Sequence, residues 1–518
     1  MSLRTLSDIK LSIGTDEAEL ISIATKKLGR KPTYFAIKKK SLDARNKSDL
    51  KYIYTIEFSD ELPPENPALA RLPKNRLPKS HVAVIGSGPA GLFCALRLIE
   101  RGIAPIVIER GACVEEREKD ISAFIETKTL NPQSNVQFGE GGAGTFSDGK
   151  LNTQTHSPIN REVLKTFVRF GAPEEILWLN KPHIGSDNLK KVVKNMREYI
   201  LANGGNVYFN TRMTDIKIKD GKAQNITVKN ADGVQEIEVS ALVLAIGHSA
   251  RDTFELLRKR GLKMTAKDFA VGVRIEHLQS AIGFSQYGAS FTKLPAADYK
   301  LVSHASERAA FTFCMCPGGF VMPAASEAGG VVTNGMSNYA RNETNANAAL
   351  IAQVYKSDFG QDFEKNPLAG VDFQRAIERK AFEIGGGDYR APVQLVGDFL
   401  KDRTSEKFGK VTPTYAAGTT FAELGAVLPS FITQTLKSAI LDMDKRLKGF
   451  ADPEAVLTAA ETRTSSPVRI ERGEDMQSVS AKGLYPCGEG AGYAGGITSS
   501  AADGIRTAEA IYKTLLEV

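Results

Sequence analysis

His81 to Gly111 reads HVAVIGSGPAGLFCALRLIERGIAPIVIERG. An apolar run is followed by a glycine turn, a helical stretch, a second apolar run and an acid. Gly86, Gly88 and Gly91 form the GxGxxG pattern. Gly86 permits the tight turn out of the strand, Gly88 leaves room for a pyrophosphate, and Gly91 allows close packing of the helix. Ser87, Pro89 and Ala90 complete the turn and open the helix. Its N-terminus presents unpaired N–H groups and about half a positive charge to a phosphate. Glu109 ends the second run 23 residues after Gly86, where a carboxylate can accept ribose hydroxyls. An acid there disfavours a 2′-phosphate and does not by itself separate NAD from FAD. A dinucleotide-binding fold follows.

The 518 residues suffice for about three domains. With 42% hydrophobic and 25% charged residues the composition is that of a globular protein. No apolar run approaches the ~20 residues that span a bilayer, and MSLRTLSDIK lacks a signal-peptide core. The expectation is a cytoplasmic protein with no membrane partner. Five cysteines (Cys94, Cys113, Cys314, Cys316, Cys487) are too few for a disulfide scaffold.

The charge is uneven. Residues 1–80 carry 16 Lys/Arg against 10 Asp/Glu, nearly all of the net +7. Residues 1–60 read as a small basic α+β domain. It has a strand in LSDIKLSI, a helix over 16–28 and two strands in TYFAIKKKSLDARNKSDLKYIYTIEFS. Lys38, Lys39 and Lys40, near Arg45 and Lys47, read as a solvated strand edge, with RNA or another acidic partner as the alternative. Five prolines make 61–80 a linker. Residues 81–269 and 461–518 form the nucleotide-binding domain. Helices are expected over 115–126 and 187–203, a strand at NVYFNT, hairpins at 219–221 and 232–233, and a buried strand in ALVLAIGHS. Residues 270–460 lack a βαβ rhythm. Strands in FAVGVRIEHL, RAAFTFCMCPGG and GGVVTNGMS mix there with helices over 345–356 and 431–447, as expected of an inserted substrate domain.

Three further glycine motifs follow in order: NVQFGEGGAGTFSDGK at 135–150, VLAIGHSARD at 243–252, and GLYPCGEGAGYAGGITSSAADGIRTAEAI at 483–511. With the first motif, this set resembles FAD-containing oxidoreductases of the glutathione-reductase and p-hydroxybenzoate-hydroxylase superfamily. GEGGAGTFSDGK, FCMCPGG, RTSSPVR and CGEGAGYAGGI are similar to segments of a bacterial family described only as FAD-dependent dehydrogenases. The resemblance runs from about residue 80 to the end and extends more loosely to residues 1–60. It implies an α/β fold with a doubly wound, FAD-binding Rossmann-like domain, an inserted mixed α+β domain and a small N-terminal α+β domain.

The resemblance also implies roles. Gly86, Gly88 and Gly91 would hold the FAD pyrophosphate, and Glu109 the adenosine ribose with Arg110 beside it. Gly488 and Glu489 would sit at the ribitol and pyrophosphate; the superfamily usually has Asp at position 489. Gly495, Gly496 and Ile497 would bring a helix N-terminus to the flavin N1/O2 edge, where backbone N–H groups stabilise the reduced anion. The loop holding Gly139, Gly141, Gly142, Gly144 and Thr145 would lie near the isoalloxazine, with Ala245 and Gly247 in the adjoining motif. That loop matches GxGxxG by count, but no clean strand and helix flank it, so a second dinucleotide fold is rejected. NAD(P)H, if used, would bind transiently.

Cys314 and Cys316 flank Met315, and on a regular strand both thiols would share a face. The readings are a redox pair, although a disulfide across one residue is strained, thiols beside the flavin, buried unreactive cysteines, or half of a metal site. The metal reading lacks a second cysteine pair, and no metal is expected. Cys314, Cys316 and Lys150 are the catalytic candidates. Asp148, His248, Arg274, Arg463 and Arg469 are polar groups near the motifs that serve either a substrate anion or structural pairs. The expected activity is hydride transfer between an organic substrate and non-covalently bound FAD. The alternatives are an FAD-dependent monooxygenase using NAD(P)H and oxygen, and an RNA-associated flavoprotein acting through residues 1–60.

Overall fold

The decisive stretch folds into strand Val82–Ile85, helix Pro89–Glu100 and strand Pro105–Ile108. The computed structural model describes residues 3–62, 81–153, 155, 157–360 and 362–516. From residue 63 on, the expected linker lies outside them. These strands belong to a five-stranded parallel sheet ordered Leu484–Pro486, Ala241–Leu244, Val82–Ile85, Pro105–Ile108, Asn206–Tyr208. The central strands are short continuous apolar runs because both faces are covered. Val82, Val84 and Val243 face a core shared with helices Pro89–Glu100, Ser186–Ala202 and Ile497–Leu516. Ala83, Ile85, Leu242 and Leu244 face the other way. They pack against helix Arg251–Lys259 and an antiparallel sheet of Arg212–Lys219, Lys222–Asn230 and Gly233–Glu238.

The C-terminal helix lies directly on the helix of the first glycine motif. Gly504 makes this possible, since a Cβ there would stand 2.1 Å from the Ala90 carbonyl oxygen. Both helices thereby begin at the same edge of the sheet.

Residues 269–461 build a seven-stranded sheet. Its order is Val302–Ser303, Ala310–Cys316, Asn345–Val354, Phe269–Leu278, Val456–Glu461, Ala391–Leu395, Thr419–Phe421. One expectation is overturned here. Residues 345–356, expected to be helical, form strand Asn345–Val354, paired with Phe269–Leu278 over ten residues without a shift. Nine of its ten residues are buried, so the segment has no polar face for a surface helix to present. Tertiary burial outweighs the fractions of a kcal/mol by which alanine favours helix. Helix Ser430–Arg446 covers this sheet through Leu436, Ala439, Ile440 and Met443.

The N-terminal strands Arg4–Ser12, Tyr34–Asp43 and Lys51–Ser59 form a separate sheet with the last in the middle. Leu20 and Ala24 of helix Ala18–Leu28 pack against Tyr54, Ile56 and Phe58. The basic cluster is largely engaged. Lys38 pairs with Glu57 at 2.8 Å and Lys40 with Glu17 at 2.5 Å. The backbone of Lys40 also bridges to the nucleotide-binding body, its N–H donating to the Trp178 carbonyl and its carbonyl accepting from Asn180. Lys47 donates to the Ser285 carbonyl.

Gly504→Val should lower unfolding stability by about 2 kcal/mol or more through overpacking. Thermal unfolding of the variant beside the parent checks this, and an unchanged midpoint would contradict the close packing of the two helices.

Candidate functional site

A cavity of about 350 Å³ opens at the C-terminal ends of the parallel strands, the place where open α/β sheets bind ligands. Gly86, Gly88, Pro89, Ala90, Glu109 and Arg110 line one end. Gly139, Gly142 and Gly144 form a second wall, and Ala245 and Gly247 a third. Glu489, Gly495, Gly496 and Ile497 close the C-terminal side. Lys150, Phe313, Cys314, Asn334 and Glu461 bring the seven-stranded sheet and its surroundings to the far end. Of the residues singled out from sequence, Ser87, Gly91, Gly141, Thr145, Arg274, Cys316, Arg469 and Gly488 are not part of this wall.

Gly86 adopts a left-handed φ of +101°, and a Cβ there would lie 2.3 Å from the Ala245 oxygen. The turn therefore presses directly on the neighbouring strand end. Glu109 is nearly fully buried and accepts four hydrogen bonds. The Ser87 N–H (2.9 Å) and hydroxyl (2.8 Å) reach one oxygen, and the Gly111 and Gly139 N–H groups (both 3.0 Å) reach the other. One carboxylate thus ties three loops together. Arg110 lies 4.3 Å over the Phe138 ring and pairs with Asp252.

The Gly139–Gly144 loop is held by Arg117, whose guanidinium is fully buried. It donates to the carbonyls of Asn135 (2.8 Å), Val136 (3.0 Å), Glu140 (2.7 Å) and Gly142 (2.9 Å). Sequence reasoning missed this residue. The available signal was a lone Arg on the buried stripe Val114, Arg117, Ile121, Phe124 of helix Val114–Thr127. It also missed Asp503, which accepts from the Gly488 N–H at 2.8 Å and pairs with Arg472 at 2.8 Å. Arg472 stacks 3.9 Å from the Tyr493 ring centroid and holds the Pro486 carbonyl. Burial would raise the Asp503 carboxyl, but Arg472 outweighs it and keeps it below the usual range.

At the far end, Lys150 pairs with Asp148 at 2.9 Å and donates to the Met315 carbonyl. Arg341 also pairs with Asp148 at 2.5 Å. Burial opposes the charge on Asp148, yet Lys150 and Arg341 hold its carboxyl below the usual range. Arg274 is fully buried, at 2.9 Å from Glu461 and from the Cys314 carbonyl. His248 bonds the Arg463 carbonyl at 2.7 Å, and Arg463 pairs with Glu378. Arg469 leans over Tyr493 at 5.2 Å.

The wall fits FAD. Among the described residues, a Cβ on Gly88 would meet only the Gly142 Cα, at 3.8 Å, and one on Gly247, Gly495 or Gly496 would meet nothing within 4 Å. Bare backbone faces the cavity there. The N-termini of helices Pro89–Glu100 and Ile497–Leu516 converge on it, two positive dipole ends for an anionic dinucleotide. Among the described residues no helix is long and apolar enough to cross a membrane.

The fold and cavity define an FAD-binding flavoprotein of oxidoreductase architecture. Residues 268–464 match the family described as FAD-dependent protein, C-terminal domain-like, and residues 4–59 match a domain of unknown function (DUF8436). An uncharacterized protein of Clostridium beijerinckii is 45% identical, over 99% of this chain and 98% of its own length. The chain belongs to the same family as that protein, a family of FAD-dependent proteins, and its cofactor is FAD. Two solved structures are similar to the chain only at a low level. A geranylgeranyl bacteriochlorophyll reductase-like protein of Thermoplasma acidophilum has 12% identity and a TM-score of 0.38, with coverage of 84% of this chain and 78% of that one. CtdE in complex with FAD has 10% identity and a TM-score of 0.33, with coverage of 84% of each. At these scores neither adds to what the topology above shows.

Gly88→Val, which points a branched side chain into the cavity, should weaken FAD binding at least about 100-fold, or ~2.7 kcal/mol. Flavin absorbance per chain after dialysis and a titration of the stripped protein measure the loss. Full flavin retention would contradict the assigned wall.

Proposed function

We propose that this protein is an FAD-dependent dehydrogenase or reductase acting on a small organic molecule. The observation that supports the reading is the continuity of one cavity. It runs from the glycine turn of the parallel sheet, past two helix N-termini, to a polar end built by the seven-stranded sheet. The Gly86–Ala90 turn would hold the pyrophosphate and Glu109 the adenosine end, while Gly495, Gly496 and Ile497 would face the flavin ring. When bound, FAD supplies two-electron hydride chemistry.

The chain's own residues bind and orient. Lys150 offers a fixed cation at the far end. Burial alone would lower its ammonium, but Asp148 outweighs burial and holds it above the usual lysine range. Phe313 is 42% exposed beside the cavity and offers an aromatic surface to an apolar part of the substrate. Glu461, at 2.9 Å from the Thr333 hydroxyl and from Arg274, is locked in place. Burial pushes its carboxyl above the usual range against the pull of Arg274. These groups suit a substrate with an anionic or carbonyl oxygen near Lys150 and an apolar body against Phe313.

The test is an anaerobic visible spectrum of the purified protein, before and after NADH and then NADPH. Flavin bands near ~450 nm that bleach identify a nicotinamide-reduced enzyme. Bands that persist with both assign reduction to another donor or to the substrate itself. Oxygen uptake with hydroxylated product would move the protein to the monooxygenases, and a preparation that binds no FAD would overturn the reading.

A further inference from the structure

Cys314 and Cys316 lie where strand Ala310–Cys316 departs from regular pairing. Phe313 faces Ala349 of strand Asn345–Val354, and Cys316 faces Asn347, so the register shifts between them. Cys314 takes a left-handed φ of +42°, a conformation that costs about 1–3 kcal/mol in a non-glycine residue and gathers at functional sites. The irregularity breaks the expected shared face. Cys314 is partly exposed and lines the cavity, whereas Cys316 is fully buried behind it. The two remain in contact. The Cys316 thiol donates to the Cys314 carbonyl at 3.3 Å.

Fixed charges surround the pair. Arg274, from strand Phe269–Leu278, donates to the Cys314 carbonyl at 2.9 Å. Lys150 donates to the carbonyl of Met315, the residue between the cysteines. Asp148 and Glu461 oppose these cations, but Asp148 is paired to Arg341 and Glu461 to Arg274. The Cys316 hydrogen bond, with Arg274 and Lys150, outweighs burial and pulls the Cys314 thiol down to about 5, while Cys316 is pushed well up. Cys94 and Cys487 are fully buried, and burial raises both.

We propose that Cys314 and Cys316 form a thiolate–thiol pair in the cavity wall that reduces small disulfides by thiol–disulfide exchange. In the first step the Cys314 Sγ thiolate attacks one sulfur of RS–SR. A Cys314–SR bond forms, the reagent's S–S bond breaks and RS⁻ leaves. In the second step Cys316 gives up its proton to solvent or the departing thiolate, and its Sγ attacks the Cys314 Sγ. The protein disulfide forms and the second RS⁻ leaves. Two cysteine thiols are oxidised to one disulfide, and one RS–SR is reduced to two thiols. A disulfide closing across one intervening residue is strained, and strained pairs have the higher potentials of labile, catalytic disulfides. The inference uses the cavity wall and is independent of the nicotinamide reaction proposed above.

The test is reaction of the purified flavin-containing protein with 5,5′-dithiobis(2-nitrobenzoate), with peptide mass mapping to separate Cys314 from Cys113. Between pH 8 and 6.5 the rate at Cys314 should fall less than about two-fold, where an ordinary thiol falls about 20-fold with its thiolate fraction. The pair should release two equivalents of thionitrobenzoate and end as a Cys314–Cys316 disulfide. Cys316→Ser should release one and keep the mixed disulfide. Cys314→Ser should release none from this site while retaining flavin absorbance. An unlabelled Cys314, or one whose rate follows pH as an ordinary thiol does, overturns the proposal. Two equivalents released at the site in Cys316→Ser overturn the role of Cys316. The parent protein's pH profile decides the matter even where a variant fails to fold.

Discussion

The site depends on one buried carboxylate. Glu109 takes four hydrogen bonds from Ser87, Gly111 and Gly139. Hydrogen bonds to a charged group are worth roughly 1.5–3 kcal/mol each, and leaving such a charge without its donors would be more costly still. The strand ending in Glu109 therefore dictates where the first glycine turn and the Gly139–Gly144 loop meet. Arg117 supplies the opposite charge to the same loop, and its four carbonyl acceptors give the loop a single backbone path. A loop rich in glycine has little preference of its own, so these two buried ions define the surface offered to the dinucleotide.

A second set of buried ions joins the parallel sheet to the seven-stranded one. Arg251 follows the Ala245–Gly247 turn and meets Glu378 at 2.8 Å, while Arg463 meets the same carboxylate at 2.9 Å. Burial would raise the Glu378 carboxyl, but Arg251 and Arg463 outweigh it and hold it far below the usual range. Such clusters add little net stability over an apolar contact, yet breaking one by removing a partner is costly. Their service is geometric. They seat strand Val456–Glu461 and its neighbours against the cavity, which puts Glu461 and Cys314 at its far end.

Much of this was legible in the chain. The strand–turn–helix–strand of residues 81–111 follows from short apolar runs and three glycines at fixed spacing, and the C-terminal motif from a glycine pair before an alanine-rich helix. The helices at 114–127 and 186–202 follow from apolar residues at helical spacing. Asn345–Val354, expected as helix, is a strand because it is buried on both faces, which a local reading does not show. Arg117 was overlooked although it occupies a core position of its helix. Asp503 was overlooked because its partner, Arg472, lies 31 residues away and outside every glycine motif.

What the sequence by itself determined is the dinucleotide-binding unit and its glycine turns, with FAD implied only by the resemblance of its motifs to a known family. Those depend on local backbone geometry, and local geometry is encoded by residues near one another. What only the tertiary structure decided is the far end of the cavity. Lys150, Cys314, Asn334 and Glu461 come from distant segments, and no spacing rule relates them. They meet because strands Ala310–Cys316 and Val456–Glu461 of the seven-stranded sheet carry Cys314 and Glu461 to the cavity, where the pair of Thr333–Met336 with Phe320–Pro323 and the loop of Lys150 close on them.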